Sequence, residues 1–214
     1  LDFYRPGFTI SDALQYIVSK AQLLNKPLVV NASVGDYYGS HDGTDLESQI
    51  INNMISNIPG RALVAAAGNA GPIKFHVGYN ITSTDTNFTW IKNNGNRIYV
   101  SEFADTNQIK NVKYSVSVTN PAFTYLGNIS FKPYNYALNT IKRDTIYYNS
   151  NRIGIIESTA DINTFGVYEL ALTIKADSIG YLWSISHSGT GRIDSWNFRS
   201  EERRVGKECR SRWS

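Results

Sequence analysis

The chain has 214 residues, of which 42% are hydrophobic and 18% are charged, a composition typical of globular domains and unlike that of disordered chains. Its length allows one or two domains. No apolar run approaches the roughly 20 residues that a membrane-spanning helix needs, so the sequence predicts no membrane segment.

The first predicted element is a helix that begins at a capping box. Thr9 and Asp12 have the spacing at which a hydroxyl and a carboxylate satisfy the free amides of a first helical turn. Apolar residues then recur at helical spacing as far as Leu24. Asn25–Pro27 ends the helix, because proline disfavours helical angles in the residue before it. Leu1–Gly7 has no clear pattern and is predicted to be a loop.

A strand, a loop and a second helix are predicted next. Leu28–Asn31 is a short apolar run that predicts a strand, and Asp36–Gly43 is rich in turn-forming residues. Thr44–Glu47 has the form of a second capping box. Apolar residues at helical spacing then predict an amphipathic helix that continues to Ile58 and is closed by Pro59-Gly60.

Leu63–Ala67 is the second predicted strand. Its apolar residues do not alternate with polar ones, which is typical of a parallel strand that is covered on both faces. Gly68 allows a sharp turn, so Asn69 is expected at the carboxyl end of the strand, where open α/β sheets bind ligands. Asn69 also fits a plain turn, because asparagine tolerates unusual backbone angles. The helix–strand order over Thr9–Asn69 predicts an α/β unit with parallel strands.

Beyond Pro72 the sequence pattern changes from helical to β-rich. Short runs that alternate polar and apolar residues are separated by turn formers such as Asn93-Asn-Gly95. This spacing predicts an all-β antiparallel sandwich or jelly roll. We therefore expect domains at residues 1–75 and 76–198. The expected strands are Lys74–Tyr79, Asn87–Ile91, Ile98–Phe103, Val112–Val118, Thr145–Tyr148, Ile153–Glu157, Val167–Ile174 and Tyr181–Ser186.

The C-terminal stretch Arg199–Ser214 breaks abruptly from the composition before it. The whole string resembles the in-frame translation of a sequencing adapter, and we interpret residues 199–214 as a non-native tail. A genuine basic tail that binds nucleic acid or an acidic surface is the alternative. The stretch holds six of the 21 basic and three of the 18 acidic residues, so the rest of the chain carries 15 of each. The sequence pI of 8.9 is therefore no evidence for a nucleic-acid partner. Cys209, the single cysteine of the chain, also lies in this stretch.

Two of the segments described above together resemble the subtilisin-like serine peptidases. Pro27-Leu-Val-Val-Asn-Ala-Ser-Val-Gly35 has the form P-x-V-V-N-x-S-x-G, and Val64-Ala-Ala-Ala-Gly-Asn-Ala-Gly71 has the form V-A-A-A-G-N-x-G. They stand in the family's order, with a predicted helix of suitable length between them. The resemblance covers Ile10–Gly71.

The resemblance implies roles in catalysis for the residues that follow the second strand. Asn69 matches the family's oxyanion-hole asparagine, whose amide donates to the oxygen that becomes negative when the catalytic serine attacks the peptide carbonyl. Ala66, Ala67 and Gly68 match the wall of the pocket that takes the side chain before the scissile bond. Small residues there keep the pocket open.

The residues after the first strand match the segment that binds the substrate's main chain. Ser33, Val34 and Gly35 correspond to an edge along which an extended peptide would pair by main-chain hydrogen bonds. Asp36 departs from the glycine that usually follows, so specificity beyond the first pocket is left open. The implied partner is a peptide or protein substrate.

The family's catalytic contexts do not occur in the sequence. Subtilisin-like peptidases use Asp, His and Ser in that order. The chain has no Asp-Ser/Thr-Gly, no His-Gly-Thr-His and no Gly-Thr-Ser, and Gly189-Thr-Gly191 comes nearest without the nucleophile. We therefore expect an internal piece of such an endopeptidase that begins after the His, ends before the Ser and is inactive as written.

The β-rich region also has a place in the resemblance. Some bacterial members of the family carry a jelly roll between the oxyanion asparagine and the nucleophile, and Gly191–Trp196 resembles the return toward the catalytic domain. A secreted or cell-envelope location is implied by the family alone.

The histidines carry no predicted chemistry. His41 and Asp42 are adjacent, and neighbouring loop side chains rarely act as base and orienting group, so turn hydrogen bonding is the favoured interpretation. His76 and His187 lie on predicted strands and are interpreted as structural. Three scattered histidines lack metal-ligand spacing, so neither a metal nor another cofactor is predicted.

Two other functions remain open from the sequence. Trp90, Trp183 and Trp196 could form a sugar-stacking face of a non-catalytic adhesion or carbohydrate-binding module, although tryptophans on alternating strands are more often core. The second alternative function is that of a pseudopeptidase, which binds peptides without cleaving them.

Overall fold

The structure is a computed structural model that describes residues 9–34, 39–69, 74–82 and 86–198. The chain forms two compact units, the first within Leu1–Gly71 and the second within Pro72–Ser214. The loop predicted at Leu1–Gly7 and the tail at residues 199–214 lie outside the described residues.

The first unit contains two helices and two parallel strands. In chain order these are α1 (Ile10–Leu23), β1 (Leu28–Ala32), α2 (Leu46–Ile55) and β2 (Arg61–Ala65). The two strands pair in parallel with no register shift from the first residue of each to the last. The expected alternation of helix and strand is therefore present in this unit.

Helix α1 begins at the predicted capping box. The Asp12 amide donates to the Thr9 hydroxyl oxygen at 3.2 Å, and the Thr9 amide donates to Asp12 Oδ2 at 3.0 Å. The Thr9 backbone amide and, to a smaller extent, the Thr9 hydroxyl donate hydrogen bonds to the Asp12 carboxylate. These bonds hold the pKa of Asp12 below its usual value. The helix buries Ala13, Leu14 and Val18 on one face.

Helix α2 begins one residue later than predicted and ends earlier. Asp45 is the capping residue, and its carboxylate accepts from the Ser48 amide at 2.9 Å. Thr44, the predicted cap, instead donates its hydroxyl to Asp42 at 2.7 Å. The helix stops at Ile55 rather than Ile58 because Ser56 is extended and Asn57 has a φ of +60°.

Strand β2 is not covered on both faces, which corrects the expectation for a buried parallel strand. Val29 of β1 is 74% exposed, and Val64 of β2 is also exposed. Leu28, Val30 and Leu63, on the other face, are half-buried. The continuous apolar run therefore reflects the strand propensity of these residues and not burial on both faces of the sheet.

The second unit consists of two antiparallel sheets. The first has six strands in the order β3-β13-β5-β11-β10-β9. The second has the order β4-β12-β6-β7, with β8 also paired to β6. A short helix, α3 (Thr106–Ile109), follows β5. The strands are β3 (His76–Ile81), β4 (Asn87–Lys92), β5 (Arg97–Asp105), β6 (Val112–Thr119), β7 (Tyr125–Asn128), β8 (Lys132–Pro133), β9 (Ile141–Tyr148), β10 (Asn151–Ile162), β11 (Val167–Ala176), β12 (Leu182–Gly189) and β13 (Gly191–Phe198).

The two sheets share one hydrophobic core. Alternate residues of each strand point inward, as the period of two requires. Leu172 and Ile174 of β11 belong to the same buried cluster as Val116 of β6 and Trp183 and Ile185 of β12. The second unit is therefore a β-sandwich, as the spacing of short alternating strands predicted.

The segment Gly191–Trp196 is part of the sandwich. It belongs to β13, which pairs with β3 on one side and with β5 on the other. Ile193 and Ser195 are buried while Arg192 is exposed, so the segment follows the ordinary alternation of a strand. The segment expected to return toward a catalytic domain is therefore itself a strand of the sandwich.

None of the helices in the described ranges is long and apolar enough to cross a membrane.

Candidate functional site

The carboxyl ends of β1 and β2 lie side by side in the first unit. Ala32 is paired with Ala65 at the end of the parallel register. The pairing continues one step further, because the Ala66 amide donates to the Ala32 carbonyl at 3.1 Å. The segments that follow the two strands therefore start next to each other at one edge of the sheet.

The predicted substrate-binding edge follows β1. Ser33 and Val34 come directly after Ala32, and both are exposed. Neither belongs to a strand of the structure, so the paired part of β1 ends at Ala32. Gly35 and Asp36 lie outside the described residues.

The predicted pocket wall and oxyanion donor follow β2. Ala66, Ala67, Gly68 and Asn69 are exposed, in contrast to the strand's half-buried Leu63. Gly68 has a φ of +82°, a conformation that residues with a Cβ rarely adopt, so the backbone turns at this residue. The turn ends the strand and leaves Asn69 as the first polar side chain beyond it.

The groups at this edge that can bind a ligand are the main chain and the side-chain amide of Asn69. Past the end of a parallel pair, backbone N–H and C=O groups no longer have a strand partner and can bond an extended ligand. A side-chain amide nearby can donate to an oxygen that acquires negative charge. The structure thus brings Ser33–Val34 and Ala66–Asn69 to the same edge of the sheet.

The His41–Asp42 pair lies in a turn before α2. Asp42 accepts hydrogen bonds from the Ser40 hydroxyl, from the Thr44 amide at 2.9 Å and from the Thr44 hydroxyl. Partial burial works to raise the pKa of Asp42, but the hydrogen bonds from Ser40 and Thr44 outweigh it and lower the value. The carboxylate thus organises the turn, as the turn-hydrogen-bonding interpretation expected.

His187 lies in the core of the second unit and joins a buried polar network. Its Nε2 is 2.8 Å from Glu102 Oε2, and its Nδ1 is hydrogen-bonded to the Tyr79 hydroxyl. Burial, with a smaller contribution from the Glu102 carboxylate, raises the pKa of Tyr79. His187 thus uses both ring nitrogens in the core, one toward Tyr79 and one toward Glu102.

The network ties the two sheets together, because Tyr79 and Glu102 come from the six-stranded sheet and His187 from the other. Glu102 is not among the residues for which the sequence pattern predicted a role. A signal was present, since Ile98, Val100, Glu102 and Ala104 share one side of an alternating strand, and a carboxylate at such an inward position needs a buried partner.

A cavity beside this network is too small for a ligand. Its volume is about 10 Å³, and its lining includes Glu102, Tyr114, Tyr168 and His187. Space of this size holds at most a single water molecule. The buried histidine therefore has a structural role, as predicted from its place on a strand.

His76 also has structural contacts. Its ring stacks on Trp196 with centroids 4.1 Å apart, and its Nε2 is 3.1 Å from Asp194 Oδ1. Within the ranges that the structure describes, no group of three or more His, Cys, Asp or Glu residues is arranged to hold a metal ion.

The three tryptophans of the β-region have different environments. Trp183 is fully buried in the core and Trp196 is half-buried, whereas Trp90 is 49% exposed. They do not form one face, because Trp90 and Trp183 point to opposite sides of the same sheet.

Comparison with solved structures finds a similar fold in the Clostridium perfringens CspB protease, with a TM-score of 0.66 and 22% sequence identity. The match covers 88% of this chain and 39% of that chain, so the chain spans well under half the length of this relative. At this level of identity the likeness shows the fold. No family model matches the chain, and no curated protein matches it.

Proposed function

We propose that the chain is part of a subtilisin-like serine endopeptidase and carries its peptide-binding edge and oxyanion donor. The observation that carries the proposal is the parallel pairing of β1 and β2. The strands within the P-x-V-V-N-x-S-x-G and V-A-A-A-G-N-x-G segments pair side by side, and the Ala66 amide donates to the Ala32 carbonyl. This pairing supports the proposal, because the residues that follow the two strands then start next to each other. The fold likeness to a protease supports the same class.

Each segment has a distinct role in this proposal. The main chain of Ser33, Val34 and Gly35 binds the substrate backbone, and main-chain bonds accept many side-chain sequences. Ala66, Ala67 and Gly68 leave room for the side chain before the scissile bond. These two segments therefore bind substrate without supplying a nucleophile.

Asn69 acts on the transition state. Its amide donates to the carbonyl oxygen as that oxygen gains charge. A donor positioned for the charged state stabilises the transition state more than the ground state, and so lowers the barrier. The complete enzyme would cleave the peptide through an acyl-enzyme. We place the enzyme outside the cell or in the cell envelope by analogy with the family.

We propose that the chain as printed binds peptides without cleaving them, because none of the family's catalytic Asp, His or Ser contexts occurs in it. A fluorophosphonate probe of serine hydrolases is expected to leave the chain unlabelled. Labelling of any serine would contradict this part of the proposal.

Peptide binding is tested by nuclear magnetic resonance on the labelled chain. Titration with a blocked tetrapeptide of apolar residues is expected to shift the amide signals of Ser33, Val34 and the Ala66–Asn69 segment. The amides of β11, in the other unit, serve as the internal control. Shifts confined to the control strand, or no shifts at all, would refute the proposed edge.

Reading the gene on both sides of the printed residues separates a peptidase from a pseudopeptidase. Asp, His and Ser in their family contexts support the peptidase, and substitutions at those positions support a protein that binds peptides only.

A further inference from the structure

The outward face of the second sheet carries exposed aromatic rings beside a floor of small polar side chains. Trp90 and Phe88 lie on β4, 49% and 57% exposed, with ring centroids 6.0 Å apart in an edge-to-face arrangement. Tyr125, on β7 at the other side of the sheet, is 56% exposed. The interior strands β12 and β6 lie between them.

The register shows that one row of polar residues crosses the sheet from Trp90. Trp90 is opposite Ser184, Ser184 is opposite Ser117, and Ser117 is opposite Asn128. Residues directly opposite in antiparallel strands share a face. The row spans three interstrand spacings of about 4.8 Å each, so it is roughly 14 Å long and wider than one sugar ring.

A second row begins at the other aromatic residue. Phe88 is opposite Ser186, which is opposite Ser115. The hydroxyl oxygens of Ser184 and Ser186 are 3.3 Å apart, so the two rows adjoin. Ser184 and Ser115 are each 3% exposed and form the base of the floor, and the Ser115 hydroxyl donates to the Ile129 carbonyl at 2.6 Å. Ser186 and Ser117 are half-buried and are the floor hydroxyls that a ligand can reach.

The far side of the floor is held in place by local hydrogen bonds. The Tyr125 hydroxyl donates to Asn128 Oδ1, and Asn128 Nδ2 donates to the Ile129 carbonyl at 2.6 Å. Asn128 Nδ2 also lies 3.5 Å from the Ser115 hydroxyl oxygen. These contacts fix the amide before a ligand arrives, which lowers the ordering cost of binding.

We propose that this face binds a neutral polysaccharide chain. The apolar face of a pyranose ring stacks on an indole or phenyl ring, while its hydroxyls exchange hydrogen bonds with hydroxyls and amides. The face supplies these groups side by side. We name Phe88, Trp90, Tyr125, Asn128, Ser117 and Ser186 the glycan face.

Charge favours a neutral ligand over an ionic one. The described strand residues of this face include no carboxylate, and its charged members are two lysines at its ends. Lys92 is in line with Leu182, and Lys113 is in line with Ser188. The centre of the face therefore offers stacking and neutral hydrogen bonds, not ion pairing.

The same geometry disfavours an extended peptide as the ligand. Peptides that bind sheets usually pair with the main chain of an edge strand. Here the floor lies on β12 and β6, whose main chains are paired with neighbours on both sides. A ligand on this face meets side chains only, and a saccharide is recognised through such contacts.

The test measures binding of the whole chain to neutral glycans. Soluble β-glucan, mannan, xylan and galactan, together with chitohexaose, are titrated by isothermal calorimetry and by tryptophan fluorescence. We expect at least one to bind and Trp90→Ala to lower its association constant about ten-fold, the loss of one aromatic stacking contact. Trp90→Phe should retain part of the affinity.

Tyr147→Ala is the matched control, since Tyr147 is an aromatic residue 62% exposed on β9 of the other sheet. It should leave glycan affinity unchanged. Urea unfolding of each variant shows whether the sandwich is intact. The proposal is overturned if none of the five glycans binds, or if Trp90→Ala binds as well as the parent with the fold intact.

Discussion

Gly68 sets the position of Asn69, because its φ of +82° turns the chain directly after β2. A residue with a Cβ is strained in this conformation, so glycine here has a local physical reason. Ala66 and Ala67, which precede it, have small side chains at the same edge of the sheet. Three small residues and one amide thus define the chemistry proposed for the end of the strand.

The oxyanion role proposed for Asn69 predicts a loss confined to the chemical step. In a form of the enzyme that carries the nucleophile, Asn69→Ala should lower kcat about 10²–10³-fold, the loss known for a subtilisin that lacks this donor. KM should change little, because the donor acts on the charged transition state. Hydrolysis of a peptide anilide measures both constants.

Asn53→Ala is the control for this substitution, since Asn53 is exposed on α2. It should leave both constants unchanged. An Asn69→Ala variant that keeps its kcat would remove Asn69 from the mechanism.

Two glutamates on the outward face of the six-stranded sheet have opposite pKa shifts. Burial raises the pKa of Glu169, and a hydrogen bond with Ser101 partly offsets this rise. The charge of Asp161, directly opposite on β10, raises the pKa further. Hydrogen bonds from Lys175 and Arg143 lower the pKa of Glu157. Lys175 Nζ is 2.6 Å and Arg143 Nε is 2.7 Å from its carboxylate oxygens.

These shifts predict opposite effects of neutral substitutions. The raised pKa of Glu169 means that its contribution to stability is present below the unfolded pKa and is lost as pH rises through the folded value. Glu169→Gln should therefore stabilise the fold at pH 7 by roughly 0.2–1 kcal/mol, as for other cross-strand charge pairs, with no gain at low pH. Urea unfolding at several pH values measures this.

Glu157→Gln is the matched comparison. The lowered pKa of Glu157 gives stability above its unfolded pKa that is lost as pH falls through the folded value, so this variant should be destabilised at pH 7. Equal effects of the two substitutions at pH 7 would contradict the assigned environments.

At the scale of elements, the connection between β12 and β13 depends on glycine. Gly189 has a φ of +115°, and a Cβ placed there would lie 1.9 Å from the Asn111 carbonyl oxygen. A Cβ on Gly191 would lie 2.5 Å from the Gln108 carbonyl oxygen. The backbone of this connection is thus packed against the chain between α3 and β6.

Gly189→Ala should destabilise the sandwich strongly, by about 3 kcal/mol or more, because both the backbone angle and the neighbouring carbonyl oppose a Cβ. Gly95→Ala is the control, since a Cβ there meets nothing within 4 Å. The midpoints of urea unfolding compare the two. Similar midpoints would show that the connection adapts at little cost.

The sequence predicted those elements whose pattern is local. The Thr9 capping box and strands such as β6 and β11 follow from spacing alone. Strand β7 was missed because Gly127, at a register shift beside Val118, interrupts the alternation. Strand β13 was missed because Gly191–Trp196 was interpreted, from the family resemblance, as the return toward the catalytic domain.

The candidate site was predictable only in part. Order in the sequence and strand pattern indicated that the residues around Ser33 and Asn69 follow parallel strands. The glycan face was not predictable, because it depends on the register that places Trp90, Ser184, Ser117 and Asn128 in one row. Cross-strand register is a long-range property that no local pattern contains.

The whole molecule has very unequal cores in its two units. The hydrophobic cluster of the sandwich draws on both of its sheets, from Ile81 to Ile193. In the described part of the first unit, the buried residues are Ser11, Ala13, Leu14 and Val18, all on α1. Since burial of apolar surface supplies most of the stabilising free energy, the first unit should open more readily.

Hydrogen exchange measured amide by amide tests this difference. The amides of β1 and β2 are expected to exchange faster than those of β11 and β12, which should approach protection set by global unfolding. Residues 72–198 expressed alone should keep the slow exchange of β11. Equal protection in both units would mean that they unfold as one.

Among the residues that the structure describes, β1 and β2 form a sheet of two strands, in which each strand has a neighbour on one side only. Each therefore presents a ladder of main-chain groups along its other side, and such ladders recruit further strands in matching register. In concentrated solution the first unit should seed intermolecular association, with Val29 and Val64 adding apolar surface to the contact. A strand supplied in trans that docks on either ladder should suppress this association.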